Sequence, residues 1–177
     1  MSVSLILGGA RSGKSRFAEK LAHGEKHYIA TAQAFDDEMR ERIAAHKKQR
    51  GTGWVTHEVP FDLVNQLRAL DDPKRFILVD CLTLWLSNLI LNDADCAEMI
   101  YDLATYLKET KSHIVLVSNE VGLGIVPDNK LGRAFRDIQG IANQGIAAIA
   151  DHVVFMAAGL PMVLKGPKPT ELQPPSK

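Results

Sequence analysis

The chain holds only two cysteines, Cys81 and Cys96, fifteen positions apart. They form no CxxC pair and share no zinc-type spacing with the six histidines, so neither a disulfide scaffold nor a cysteine-zinc module is available. Each lies in an apolar or helical stretch. Both are expected as buried free thiols, in keeping with a reducing compartment. An excess of one charge is also missing: 21 Lys+Arg balance 21 Asp+Glu. That argues against wholesale coating of nucleic acid or an anionic membrane, and leaves room only for a local basic patch. Long hydrophobic runs are absent as well. The longest, Gly145 to Leu164, is broken by Asp151, His152 and Pro161, which predicts a buried helix and then a strand rather than a membrane span. The apolar run Val3 to Leu7 is too short for the core of an export signal, and no basic segment precedes it. A cytoplasmic protein is expected.

What is there is ordinary in amount: 177 residues, 46% hydrophobic and 24% charged. That suits one domain with a core large enough to need no disulfide or structural metal. The pattern predicts that domain over residues 1–165, followed by a Pro-rich polar tail, 166–177, too poor in apolar residues to pack firmly. Continuous apolar runs read as buried strands at Ser2 to Leu7, His27 to Ala30, Trp54 to Val59, Arg75 to Asp80 and His113 to Ser118. A closing strand pair is expected at His152 to Ala157 and Met162 to Leu164. Helices are expected at Lys14 to His23, Asp36 to Arg50, Phe61 to Leu70, Leu82 to Leu91, Cys96 to Lys111 and Leu131 to Ala150. Such alternation predicts an α/β fold with a mostly parallel sheet and helices on both faces.

One motif stands out. Gly8, Gly9, Ala10, Arg11, Ser12, Gly13, Lys14 and Ser15 fit G-x-x-x-x-G-K-[ST] between a strand and a helix. The glycines let successive N–H groups turn inward as an anion nest, and the helix N-terminus adds positive partial charge. Lys14 is expected on the β- and γ-phosphates of a nucleoside triphosphate, and Ser15 on Mg²⁺. Arg11 either leans on a phosphate or is solvated. Such a loop needs an acid on a neighbouring strand to organise the metal. Asp80 supplies one at the end of RFILVD, where ligands of open α/β sheets gather. These features leave a kinase, an ATPase and a GTP-binding switch all open.

A second feature is the segment DDEMRERIAAHKKQR. Its acids crowd the first turns and its bases the last, matching the helix dipole. Met39, Ile43 and His46 share one face, with Arg42 and Arg50 one turn either side of His46 and Lys47 adjacent. The cations disfavour imidazolium. A neutral imidazole is a nucleophile, and the cations suit phosphate oxygens. A solvated basic helix end is the plainer alternative. His23, His27, His57, His113 and His152 have no such setting and read as structural or surface residues.

Together these segments resemble the bifunctional adenosylcobinamide kinase/adenosylcobinamide-phosphate guanylyltransferase family of cobalamin biosynthesis. The resemblance rests on GGARSGKSR (8–16), YIATAQ (28–33), the histidine segment (36–50), Glu58 in VTHEV, VDCLTLWLSNL (79–89) and VSNEVGLGIVPDNKLGRAFRDIQGIANQ (117–144). It implies a P-loop NTPase fold with RecA-like sheet order. It also implies two reactions. The aminopropanol hydroxyl of adenosylcobinamide takes a phosphoryl group from ATP or GTP. GTP then donates GMP to adenosylcobinamide phosphate through a GMP–histidine intermediate, and the family's histidine falls on His46.

The same resemblance puts Gly8 to Ser15, Thr31, Ala32, Gln33, Lys47, Lys48, Gln49, Arg50, Glu58 and Asp80 at the nucleotide. Glu58 would contact guanine or ribose. At Asp80 many relatives have Glu, so its shorter reach leaves direct and water-mediated Mg²⁺ contact both open. A homotrimer is implied too. The loop from Asn119 and Glu120 through Gly122, Gly124 and Pro127 suits substrate binding or subunit contact. Two rivals keep the phosphate loop without a histidine nucleophile: a monofunctional small-molecule kinase, and a nucleotide-dependent regulatory module.

Overall fold

The structure is a computed structural model, and it describes residues 1–33, 37, 40, 41 and 50–167. Its strands are β1 (Ser2–Gly8), β2 (Glu25–Ala30), β3 (Trp54–Glu58), β4 (Arg75–Asp80), β5 (His113–Asn119), β6 (His152–Ala157) and β7 (Leu160–Lys165). Its helices are α1 (Lys14–Lys20), α2 (Leu63–Ala69), α3 (Leu82–Leu91), α4 (Cys96–Leu107) and α5 (Lys130–Ile149). Asp37, Arg40, Glu41 and Arg50 are also helical. The remaining positions of the histidine segment, among them Met39, Arg42, Ile43, His46, Lys47, Lys48 and Gln49, lie outside the described residues. So does the tail from residue 168.

The seven strands form one sheet in the order β3-β2-β4-β5-β1-β6-β7. Every pairing is parallel except β6 with β7. This is the mostly parallel α/β sheet that the alternation of strands and helices predicts, in keeping with the RecA-like P-loop fold that the family resemblance implies. The apolar runs are continuous because both faces are covered. Leu5, Ile29, Ile77, Val79, Ile114 and Leu116 pack under α2, α3, α4 and α5. On the other face Ile6, Tyr28, Phe76, Leu78, Val115 and Val154 pack with Phe17 and Ala18 of α1. Both cysteines are buried and free, as expected.

The sheet order corrects one expectation. β4 does not neighbour β1, because β5 lies between them. The acid at the end of β4 is therefore one strand removed from the phosphate-loop strand. The parallel register nevertheless brings all these strands to the same edge. Gly8 pairs with Asn119 and Met156, while Ala30 pairs with both Glu58 and Asp80.

Several boundaries moved for local reasons. α1 ends at Lys20 rather than His23, with Leu21 as its C-cap. Gly24 then turns at φ +61°, where a Cβ would stand 2.8 Å from the Lys74 carbonyl. α2 starts at Leu63 rather than Phe61, whose carbonyl accepts the Trp85 indole N–H at 2.8 Å. α4 stops at Leu107 rather than Lys111, because Thr110 and the Lys111 amide bond Asp71. β7 is longer than expected and tolerates Pro161 because it is an edge strand. No helix among the described residues is long and apolar enough to cross a membrane.

Candidate functional site

The phosphate loop leaves β1 at Gly8 and enters α1 at Lys14. Gly8 and Gly13 take φ of +151° and +94°. A Cβ on Gly8 would stand 2.5 Å from the Met156 carbonyl oxygen and 2.7 Å from Ser12 Oγ, so only glycine fits. Arg11 is exposed at φ +54°. The loop is braced from behind by the β6–β7 turn: the Gly159 amide donates to the Ser12 carbonyl at 3.0 Å. Its lining is under-paired. Ser12 Oγ is buried and has no hydrogen-bond partner among the described residues. The Lys14 ammonium is buried and donates to the Gly9 carbonyl at 2.7 Å, folded back along the loop. Burial pushes its pKa down, against the opposing influence of Cys81 and Asp80. A cation held among inward-facing donors is built for an anion.

Asp80 ends β4 half-exposed, and the Tyr28 hydroxyl donates to its Oδ2 at 3.2 Å. The peptide bond to Cys81 is cis. Burial and the Asp80 charge push the Cys81 thiol up to about 12, so it is neutral at physiological pH. Thr31, fully buried, locks this corner. Its hydroxyl donates to the Cys81 carbonyl at 2.7 Å and accepts from the Cys81 amide at 2.8 Å. Its own carbonyl accepts from Asn88 Nδ2 at 2.8 Å. Thr31 therefore shapes the site through the backbone of β4. Ala32 and Gln33 follow it, half-buried at the sheet edge.

Arg50 stacks on the Tyr28 ring, its guanidinium carbon 3.6 Å from the ring centroid, and donates to Thr56 Oγ1 at 2.8 Å. Glu58 ends β3, exposed, and opens onto a groove of about 400 Å³ lined also by Phe61, Asp62, Asn65 and Gln66. The structure thus brings Gly8 to Ser15, Thr31, Glu58 and Asp80 to one end of the sheet. His46, Lys47, Lys48 and Gln49 are outside what it describes.

Residues that sequence reasoning did not single out support this edge. Thr83 Oγ1 accepts from the Asn119 amide at 2.8 Å. Ser118 donates to Asn143 Oδ1 at 2.7 Å and accepts from Gln139 Nε2 at 2.9 Å. Asn143 in turn donates to the Asn119 carbonyl at 3.1 Å. A signal existed: Gln139 and Asn143 lie four apart on a helix and face a strand. Among the described histidines, His23 is exposed. His27 Nδ1 and His57 Nε2 lie 3.0 Å apart, and His113 Nδ1 lies 3.1 Å from Ser2 Oγ.

Ser15 and Asp80 offer a hydroxyl and a carboxylate, hard oxygen donors suited to Mg²⁺. The Asp80 charge acts on Lys14, opposing the fall in its pKa, and both residues stand at the carboxyl-terminal edge of the sheet. The residues present therefore fit a magnesium-bound triphosphate.

Comparison with known proteins agrees with this geometry. Residues 4–164 match the family model described as cobinamide kinase/cobinamide phosphate guanyltransferase. The bifunctional adenosylcobalamin biosynthesis protein CobP of Pseudomonas aeruginosa is 50% identical over 168 residues, covering 92% of this chain and 96% of that one. The bifunctional adenosylcobalamin biosynthesis protein CobU of Salmonella typhimurium is 42% identical over 178 residues, covering 91% and 98%. A solved structure from Pyrococcus horikoshii OT3 shares the fold at TM-score 0.53 and 10% identity, covering 97% of this chain and 89% of that one. The phosphate loop, the strand-end acid and a match that runs nearly end to end converge on one assignment: the chain belongs to the cobinamide kinase/cobinamide phosphate guanyltransferase family, bifunctional enzymes of cobalamin biosynthesis.

Proposed function

We propose that this protein phosphorylates the aminopropanol hydroxyl of adenosylcobinamide and then transfers GMP from GTP to the resulting phosphate, giving adenosylcobinamide-GDP. The observation that carries the reading is the under-paired loop Gly8 to Ser15, with its buried Lys14, at the same sheet edge as Asp80. The loop amides and Lys14 hold the triphosphate of ATP or GTP, and draw charge toward the transferring group. Ser15 and Asp80 hold Mg²⁺. That ion, when bound, neutralises charge on the phosphate oxygens.

In the second reaction His46 is the nucleophile. An imidazole nitrogen bonds to the α-phosphorus of GTP and pyrophosphate leaves. An oxygen of the cobinamide phosphate then bonds to the same phosphorus, the P–N bond breaks, and the imidazole is restored. Covalent catalysis divides one displacement between two polyanions into two easier ones. Arg42, Lys47 and Arg50, no more than four positions from His46 in the sequence, offset charge on the group in transit. Lys48 and Gln49 contribute to the same nucleotide surface. Glu58 suits the guanine or ribose, because a carboxylate accepts from N–H and O–H donors. The exposed Leu123, Ile125 and Val126 of the loop after β5 offer an apolar surface to the corrinoid or to another subunit of a homotrimer. A cytoplasmic location belongs to the same proposal.

Incubation with α-labelled GTP, followed by denaturing electrophoresis, tests the reading. An acid-labile, alkali-stable adduct lost in His46→Ala is the expected result. No adduct with phosphorylation of cobinamide intact points to a monofunctional kinase. Neither activity points to a regulatory module.

A further inference from the structure

The nucleotide site uses Asp80 but leaves its tyrosine partner without a role. Tyr28 lies on β2, 5% exposed, on the sheet face opposite Ile29. Its ring is pinned. Trp54 meets it edge-on at 6.1 Å and 90°, and the Arg50 guanidinium covers it at 3.6 Å. Arg50 is itself held by Thr56 on β3. A ring in that clamp fixes its hydroxyl in space, and the hydroxyl donates to Asp80 Oδ2 at 3.2 Å. Burial first, and then the Asp80 charge, push the phenol far above its ordinary pKa, with Arg50 opposing. It stays protonated and so remains a donor. The core does not need that oxygen, because Phe76 fills the same face from β4 with a bare ring.

We infer that Tyr28 is a positioning residue: its hydroxyl fixes the Asp80 carboxylate in the orientation that serves magnesium, and its ring seats Arg50, four residues beyond His46. One side chain then ties the acid of the phosphate site to the end of the histidine segment. This rests on Asp80 being the metal-organising acid proposed above.

The test is affinity, measured by calorimetry with an α,β-methylene analogue of GTP and no cobinamide present. Wild type, Tyr28→Phe, Asp80→Asn and the double variant are each titrated in EDTA and in Mg²⁺. Tyr28→Phe keeps the ring, the Arg50 seat and the fold, which thermal unfolding verifies. Its affinity in EDTA is expected to equal that of wild type. The gain in affinity on adding Mg²⁺ is expected to fall roughly tenfold, the size of one hydrogen bond to a charged group. In the Asp80→Asn background the same change is expected to do nothing further. A purely structural tyrosine would shift both conditions together, or neither. An undiminished Mg²⁺ gain in Tyr28→Phe beside an impaired Asp80→Asn overturns the inference alone. An undiminished gain in both overturns the metal role of Asp80 and the inference with it.

Discussion

Two polar clusters, one at each end of the sheet, are in opposite states. At the amino-terminal end of the strands, the Asp71 carboxylate accepts from Thr110 Oγ1 at 2.9 Å, from the Lys111 and Ser112 amides at 2.8 and 3.0 Å, and from Ser112 Oγ at 3.1 Å. Burial works to raise its pKa, yet these donors together hold it below the usual carboxylate range. At the carboxyl-terminal end, Ser12 Oγ is buried without a hydrogen-bond partner among the described residues, and the Lys14 ammonium turns back to the Gly9 carbonyl. A satisfied cluster contributes stability, whereas an unsatisfied one lowers it and keeps its donors for a ligand. One fold thus separates holding the chain together from holding a nucleotide.

The contrast is sharpest if each end is broken in turn. Lys14→Ala removes the loop's cation, and cobinamide phosphorylation is expected to fall by at least about 100-fold in steady-state assays. Its thermal midpoint should hold or rise, because a poorly paired buried charge has gone. Asp71→Asn should do the reverse. Urea unfolding is expected to show a loss of about 2 kcal/mol, with affinity for Mg²⁺·GTP unchanged. The acid limb checks the cause. A carboxyl with a depressed folded pKa contributes above its unfolded value near ~4, and that contribution fades as pH falls through the folded value. Wild type should therefore converge on Asp71→Asn below about pH 4, and a constant gap across that range would refute the account. The smallest effect is expected beside this cluster at Glu25, whose 3.3 Å pair with Arg75 is largely solvated. Glu25→Gln should cost under about 0.5 kcal/mol in the same urea assay.

Much of this was legible in the residues. β4 and α3 begin and end where hydrophobic patterning puts them, and Gly8 to Ser15 declare their loop because its geometry is made by local glycines. The strand order was not legible by the same means. Parallel strands pair over long distances in sequence, so the residues of β4 do not record that β5 separates them from β1. Tyr28 was hidden for a related reason. Its place in a strand was plain, but its meaning depends on Asp80, fifty-two positions on. Helix ends failed where a distant turn captured the last residues, as Asp71 does beyond α4.

The β6–β7 turn behind the phosphate loop has a consequence for biosynthesis. The motif closes at Ser15, yet the carbonyl of Met156 and the amide of Gly159 that back it follow more than 140 residues later in the chain. β1 likewise waits for β5 and β6 on its two sides. A ribosome-bound chain halted before that point therefore displays the nucleotide signature without a cradle, and competence to bind arrives late and all at once.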